Sequence, residues 1–215
     1  MVPEKLFKDR FDAACQLVPE LKKYKGVREA ILLAIPRGAL EMGALLRDQL
    51  NIPLDIVVTK KISPPANEEY AIGSVGPDGS IEANKDTIDY LGIPISYIED
   101  EGRRLKHVIQ RRYKDYRNNP NPPDLKNKIV IVVDDGIATG FTTLAAVKYI
   151  RKQQPKKIIL AIPVAASDSY ERLKKEVDEM ICLHVRDDFF AVGQFYDTFD
   201  QVDDAKARKL LAYRS

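Results

Sequence analysis

The sequence predicts an α/β fold: a doubly wound, mostly parallel sheet with an inserted β-hairpin and lid, and with decorations at both ends. Three observations carry that expectation. Short, nearly continuous apolar runs at residues 30–35 (AILLAI), 54–58 (LDIVV), 129–133 (IVIVV) and 158–164 have the pattern of parallel strands covered on both faces. Stretches of helical periodicity separate these runs, so strand and helix alternate as right-handed crossovers require. Between the second and third runs the periodicity fails over residues rich in Pro, Asn and Gly, which marks an insertion.

Taken in order, residues 3–24 read as an amphipathic helix, because Leu6, Phe7, Phe11, Ala14, Leu17, Val18 and Leu21 recur at helical spacing. The run 30–35 stops at residues 36–38 (PRG), and residues 39–50 resume a helical pattern before the strand at 54–58. Residues 63–70 (SPPANEEY) read as a mobile loop, and residues 71–83, centred on Pro77, Asp78 and Gly79, as a hairpin. A long helix is expected over 95–116, with Ile98, Leu105, Val108, Ile109, Tyr113 and Tyr116 on one side. NNPNPPD at 118–124 is a linker that cannot be helical. The second half then repeats the logic of the first: strand 129–133, helix from about 142 to 153, strand 158–164, helix 167–177 and strand 180–185. The tail, about 186–215, is aromatic and acidic. Residues 1–215 are thus read as one domain, with a lid and hairpin insertion at about 62–84.

Composition narrows the function classes. Hydrophobic residues make up 45% of the 215 residues and charged ones 31%, enough to bury a core without disulfides or metals. Lys plus Arg number 34 against 32 for Asp plus Glu, a net charge of +2, so nothing global argues for nucleic acid or an anionic membrane. Arg103, Arg104, Arg111 and Arg112 share their helix with Glu99, Asp100, Glu101 and Asp115, which makes a solvated helix face. Cys15 and Cys182 read as two reduced, buried thiols. The charged N-terminal segment has no signal-peptide core, and the longest apolar run, 158–166, is far short of the roughly 20 residues that span a bilayer. A cytoplasmic protein is expected. His107 and His184 stand alone, without metal-ligand spacing.

The chemistry concentrates in VVDDGIATGFTT, residues 132–143. Ligands of open parallel sheets sit outside the carboxyl ends of the strands. There the chain places two carboxylates (Asp134, Asp135), two glycines (Gly136, Gly140) and three hydroxyls (Thr139, Thr142, Thr143). The following helix offers unpaired N–H groups and the positive end of its dipole to a phosphate. Glycines let the backbone close around an anion. The carboxylates, one turn earlier, suit neutral hydroxyls or a metal ion, so a ligand with a diol at one end and a phosphate at the other fits this order. A Walker A loop is excluded because no glycine in the chain is followed by lysine.

This run of four hydrophobics, two acids, two small or aliphatic residues and Ala-Thr-Gly-x-Thr resembles the signature of type I phosphoribosyltransferases. The resemblance implies that Asp134 and Asp135 bind the ribose hydroxyls of 5-phosphoribosyl-1-pyrophosphate, and that Ala138, Thr139, Gly140, Phe141 and Thr142 wrap its 5-phosphate. It also implies Mg²⁺, met only indirectly by the two acids through donor and water. Gly136 departs from the family, which has an aliphatic residue there, and is expected to loosen the turn. The family's pyrophosphate loop corresponds to residues 34–40 (AIPRGAL), where Arg37 suits paired bonds to phosphate and Gly38 allows close backbone approach. Lys60 and Lys61, read as ending the second core strand, are similar to basic residues that precede the lid of adenine phosphoribosyltransferases.

The implied reaction displaces pyrophosphate from C1 of the ribose by a nitrogen of a small base. Ala138 stands where hypoxanthine-guanine enzymes have an aspartate, so an adenine-like acceptor is expected, with Glu68 or Glu69 on the lid as the acid–base group. The tail resembles a branch of the family that shares F-x-V-G-x-x-Y-x-x-F, here residues 190–199. Tyr196, Phe189 and Phe190 read there as core or interface rather than as a platform for a base. The family further implies a homodimer. The alternative reading is a regulator that senses the same donor without turning it over.

Overall fold

A side-chain cap opens the first helix, α1 (Arg10–Leu21): the Asp9 carboxylate accepts the Asp12 backbone N–H at 2.8 Å. The computed structural model describes residues 5–65, 71–117 and 119–212. The amphipathic stretch is therefore shorter than residues 3–24 suggested. Asp9 takes the capping role, Phe7 lies before the helix in a bridge with Tyr196, and residues 22–24 tighten into a 3₁₀ turn. Phe11 points to solvent, 65% exposed, instead of joining the apolar face.

β1 (Ala30–Ala34) leads through residues 35–38 into α2 (Ala39–Leu50), which Asn51 ends in the left-handed conformation at φ 52°. β2 (Leu54–Ile56) follows. The insertion is larger than a hairpin. β3 (Lys60–Ile62), β4 (Gly73–Val75) and β5 (Ile81–Ala83) form a three-stranded antiparallel sheet in that order. Lys60 and Lys61 thus open β3 rather than close the second core strand, a correction that a three-residue charged strand leaves no periodicity to reveal. A short helix absent from the sequence reading, α3 (Lys85–Tyr90), starts where the Asn84 side chain accepts the Thr87 N–H at 3.0 Å. α4 (Ile95–Arg117) matches the long helix expected.

The second half adds β6 (Ile129–Val133), α5 (Phe141–Lys152), β7 (Lys157–Ala166), α6 (Ser167–Lys174) and β8 (Glu179–Arg186). The tail contains a 3₁₀ turn (Val192–Phe195) and a last helix, α7 (Asp204–Ala212), which the sequence reading did not anticipate. The five core strands lie in the order β2-β1-β6-β7-β8, all parallel. Chain connectivity runs one way from β1 to β2 and the other way from β6 to β8, so the order reverses between β1 and β6. Their register pairs Ala34 with Val133, which releases the loops after both strands side by side at the carboxyl edge.

Alternate residues of each strand feed opposite faces. Leu32, Ile131, Val133, Ile159 and Ala161 pack beneath α1 and α2, whereas Leu33, Val130, Val132, Ile158 and Leu160 pack beneath α5. A third apolar cluster joins Ile62, Ile72 and Val75 of the insertion to α4, with Val202 and Ala207 of the tail packed against it. Cys182 is half-buried, but Cys15 is exposed on α1, against the expectation of two buried thiols. Among the described residues no helix is long and apolar enough to cross a membrane.

Candidate functional site

The loop after β6 is pinned at both ends before it offers anything to a ligand. Ile137 pairs in an isolated parallel bridge with Ala165 of β7, donating its N–H to Val164 O at 2.9 Å and accepting that of Ala166 at 2.9 Å. Ser169 of α6 donates to the Ala138 carbonyl at 2.5 Å, and Arg172 donates to the Thr139 carbonyl while lying 5.0 Å from the Phe141 ring. Gly140 adopts φ 68°, a left-handed conformation that favours glycine, and starts α5 without a side-chain cap. The first-turn amides of α5 therefore face outward as donors, beside the exposed Thr139 and half-buried Thr142. Gly136 does not loosen the turn: a Cβ there would meet Val192 Cγ1 at 2.6 Å, so the C-terminal tail fills the place of the missing side chain.

Asp134 and Asp135 stand at the end of β6 in different surroundings. Asp134 Oδ1 accepts the Asp135 N–H at 3.0 Å, and its Oδ2 accepts the hydroxyl of the buried Thr143 at 3.3 Å. Burial, and then the neighbouring Asp135 carboxylate, push the Asp134 carboxyl well above the usual range. Asp135 instead meets a cation from the far N-terminal end of the chain. Arg10 Nε lies 2.7 Å from Asp135 Oδ2, with Nη1 2.7 Å from Asp200 O and 3.4 Å from Glu41 Oε2. The guanidinium stacks 3.9 Å from the Phe199 ring centre and is only 8% exposed. The hydroxyl of buried Tyr196 donates to the Asp135 carbonyl at 2.6 Å. Burial pushes the Asp135 carboxyl up, against the opposing pull of Arg10.

The loop after β1 touches this pair directly. A Cβ on Gly38 would come 2.1 Å from Asp135 Oδ2 and 2.8 Å from Arg10 Nε, so only glycine fits against the clamp. The Pro36–Arg37 peptide bond is cis. Arg37 is partly exposed, with its Nη1 3.4 Å from Asp204 Oδ1. Lys60 is half-buried nearby, and burial, then Arg112 and Arg37, lower its pKa.

A polar cavity of about 670 Å³ is lined by Thr59, Lys60, Lys61, Ser63, Arg104 and Thr142 among others, bringing the two lysines and one threonine of the first turn of α5 to a shared space. Thr59 at its wall has a buried hydroxyl without a hydrogen-bond partner. A larger hollow of about 890 Å³ shares Pro64, Pro65 and Tyr97 with it, but its lining is mostly apolar, with Asp86 and Thr87, and among the described residues includes no cation.

The structure therefore brings together Arg37, Gly38, Asp134, Asp135 and the loop 138–142 at one edge of the sheet, with Lys60 close by. Lys61 is exposed and lines the same cavity. Glu68 and Glu69 lie outside the described residues. The family model for the phosphoribosyl transferase domain matches residues 12–200. The chain belongs to that family.

Relatives agree along most of its length. Rv0571c of Mycobacterium tuberculosis strain H37Rv, provisionally named a phosphoribosyl transferase, is 34% identical over 200 residues, 93% of this chain and 45% of the relative. The chain thus spans about half the length of the curated relatives that it matches most extensively. The crystal structure of TT1426 from Thermus thermophilus superposes with a TM-score of 0.77 at 33% identity, covering 95% of this chain and 97% of that one. The purine phosphoribosyltransferase of Pyrococcus horikoshii shares the fold at 20% identity and a TM-score of 0.50, over 87% of this chain and 90% of that one.

Sequence reasoning named the Thr143 hydroxyl but missed Arg10, Ser169 and Arg172 as members of this site; these three come from helices α1 and α6, where no local pattern singles them out.

Proposed function

We propose that the chain transfers the 5-phosphoribosyl group from 5-phosphoribosyl-1-pyrophosphate to a ring nitrogen of a purine-like base, releasing pyrophosphate. The observation that carries this reading is the meeting of two loops across the β1–β6 switch point: a carboxylate turn with helix-start amides on one side, and Arg37 with Gly38 on the other. Such a pair suits a ligand that is anionic at both ends with a neutral diol between them.

Asp134 would be the acid that holds the ribose hydroxyls, because Asp135 Oδ2 is engaged by the Arg10 cation whereas Asp134 meets only neutral donors, the Asp135 N–H and the Thr143 hydroxyl. The amides and hydroxyls of residues 138–142 would hold the 5-phosphate, and Arg37 and Lys60 the pyrophosphate. Asp134 would meet the water shell of a Mg²⁺ ion carried in with the donor, which would neutralise charge on the leaving pyrophosphate. Fixing the ribose at both ends orients C1 toward the incoming base. The family resemblance and Ala138 favour an adenine-like acceptor, since a methyl group in the loop offers no proton. A lid carboxylate, Glu68 or Glu69, is the group we assign to that proton.

The test is pyrophosphate release from donor and Mg²⁺ with a panel of purine and pyrimidine bases. Release with adenine and not with hypoxanthine or guanine is expected. Tight donor binding with no release for any base would replace the enzyme by a donor-sensing regulator.

A further inference from the structure

The last helix puts a carboxylate on the cations assigned to pyrophosphate. Asp204, first residue of α7, lies with Oδ1 3.4 Å from Arg37 Nη1 and accepts the Tyr116 hydroxyl. Arg112, one turn earlier on α4, lies 5.6 Å from the Tyr116 ring centre. The Tyr116 hydrogen bond, then Arg112 and Arg37, outweigh partial burial and hold the Asp204 carboxyl below its ordinary range. Lys60 senses the same group: Arg112 and Arg37 lower its pKa and Asp204 raises it. Arg37 thus meets the carboxylate directly, while Arg112 and Lys60, from two other elements, feel its charge.

Helix capping does not account for this placement. Asp203 caps α7, accepting the Lys206 N–H on its side chain at 2.7 Å and the Ala207 N–H on its carbonyl at 3.0 Å. Asp204 is left to face Arg37 and Tyr116, and a carboxylate offers a guanidinium the same paired oxygens that a phosphate does.

We propose that Asp204 is a built-in competitor for the leaving-group site: its carboxylate sits on Arg37, with Tyr116 and the neighbouring Arg112 beside it, in place of a pyrophosphate oxygen, and the donor must displace it. The proposal rests on the donor-binding reading above and deepens it in two ways. It adds Arg112, which the sequence placed on a solvated helix face, to the pyrophosphate cradle. It also makes the start of α7 part of the site, so that filling the subsite loosens the tail and emptying it lets the tail return. A carboxylate that replaces departing pyrophosphate would speed product release at the expense of affinity.

Titration of the protein with inorganic pyrophosphate and Mg²⁺ tests this, with thermal melts as a control on folding. Asp204→Asn keeps an acceptor for Tyr116 but removes the competing charge, and should bind pyrophosphate about fivefold more tightly. Tyr116→Phe frees the carboxylate from its anchor and should tighten binding less, and Arg112→Gln should weaken it about tenfold. Ribose 5-phosphate affinity should not move in any of the three. Unchanged pyrophosphate affinity in Asp204→Asn, with Arg37→Lys weakened, would show that Asp204 is only a surface staple and would leave the donor reading intact. Unchanged affinity in Arg112→Gln would remove Arg112 from the cradle. Indifference to both Asp204→Asn and Arg37→Lys would overturn the donor site itself and this proposal with it.

Discussion

Because Arg10 Nε stands 2.7 Å from Asp135 Oδ2 and only 8% of the Arg10 side chain is exposed, the two acids of the turn should respond oppositely to loss of charge. Asp135→Asn leaves a buried guanidinium without its main counter-ion, and should cost about 3 kcal/mol. Asp134→Asn removes a charge that burial already opposes and keeps the side chain's shape, so stability at pH 7 should hold or rise. Urea midpoints of the two variants check this, and equal losses would contradict the division of roles. The family resemblance presented the acids as equivalent ribose ligands. What separates them is a residue 125 positions away in the chain, beyond the reach of any local pattern.

At the scale of elements, legibility followed the length of the apolar pattern. β6 and α2 appear with the bounds that their periodicity implies, and α5 begins within a residue of expectation. β3 has three residues, two of them lysines, and α3 has six, too few to show a period. α7 was hidden by a tail read only for its aromatic and acidic composition. Nor does the pattern show how elements are tied at their ends. Glu179 at the start of β8 accepts Tyr24 at 2.6 Å and Lys157 at 2.7 Å, and pairs with Lys23 at 2.7 Å, fastening the end of α1 to the sheet edge. Against the cost of partial burial, bonds from Lys157, Lys23 and Tyr24 bring the Glu179 carboxyl down to about 2. A depressed acid stabilises the fold above its unfolded pKa, near 4.3, and that stability is lost as pH falls through its folded value. Glu179→Gln should therefore cost about 1 kcal/mol at pH 7, discounted for a network partly open to solvent. The cost should shrink between about pH 4.3 and about pH 2, as unfolding curves across that range would show. A penalty independent of pH would mean that the side chain acts by packing alone.

For the whole molecule, strand order decides where function can lie. The reversal between β1 and β6 opens two loops onto one crevice, and both loops were legible from their residues. The surrounding wall was not legible, because it is assembled from the two ends of the chain. Arg10 from α1 and Asp200, Tyr196 and Phe199 from the tail close over Asp135, and Asp204 closes over Arg37. The central claim is that this crevice holds 5-phosphoribosyl-1-pyrophosphate by its ribose as well as by its phosphates. Calorimetric titration of the donor with Mg²⁺ into the native protein and into Asp134→Asn tests it most directly. The account predicts donor affinity at least about tenfold weaker in the variant, while metal-free inorganic pyrophosphate binds both proteins alike. Equal donor affinity in the two proteins, or no donor binding by the native chain, would contradict it.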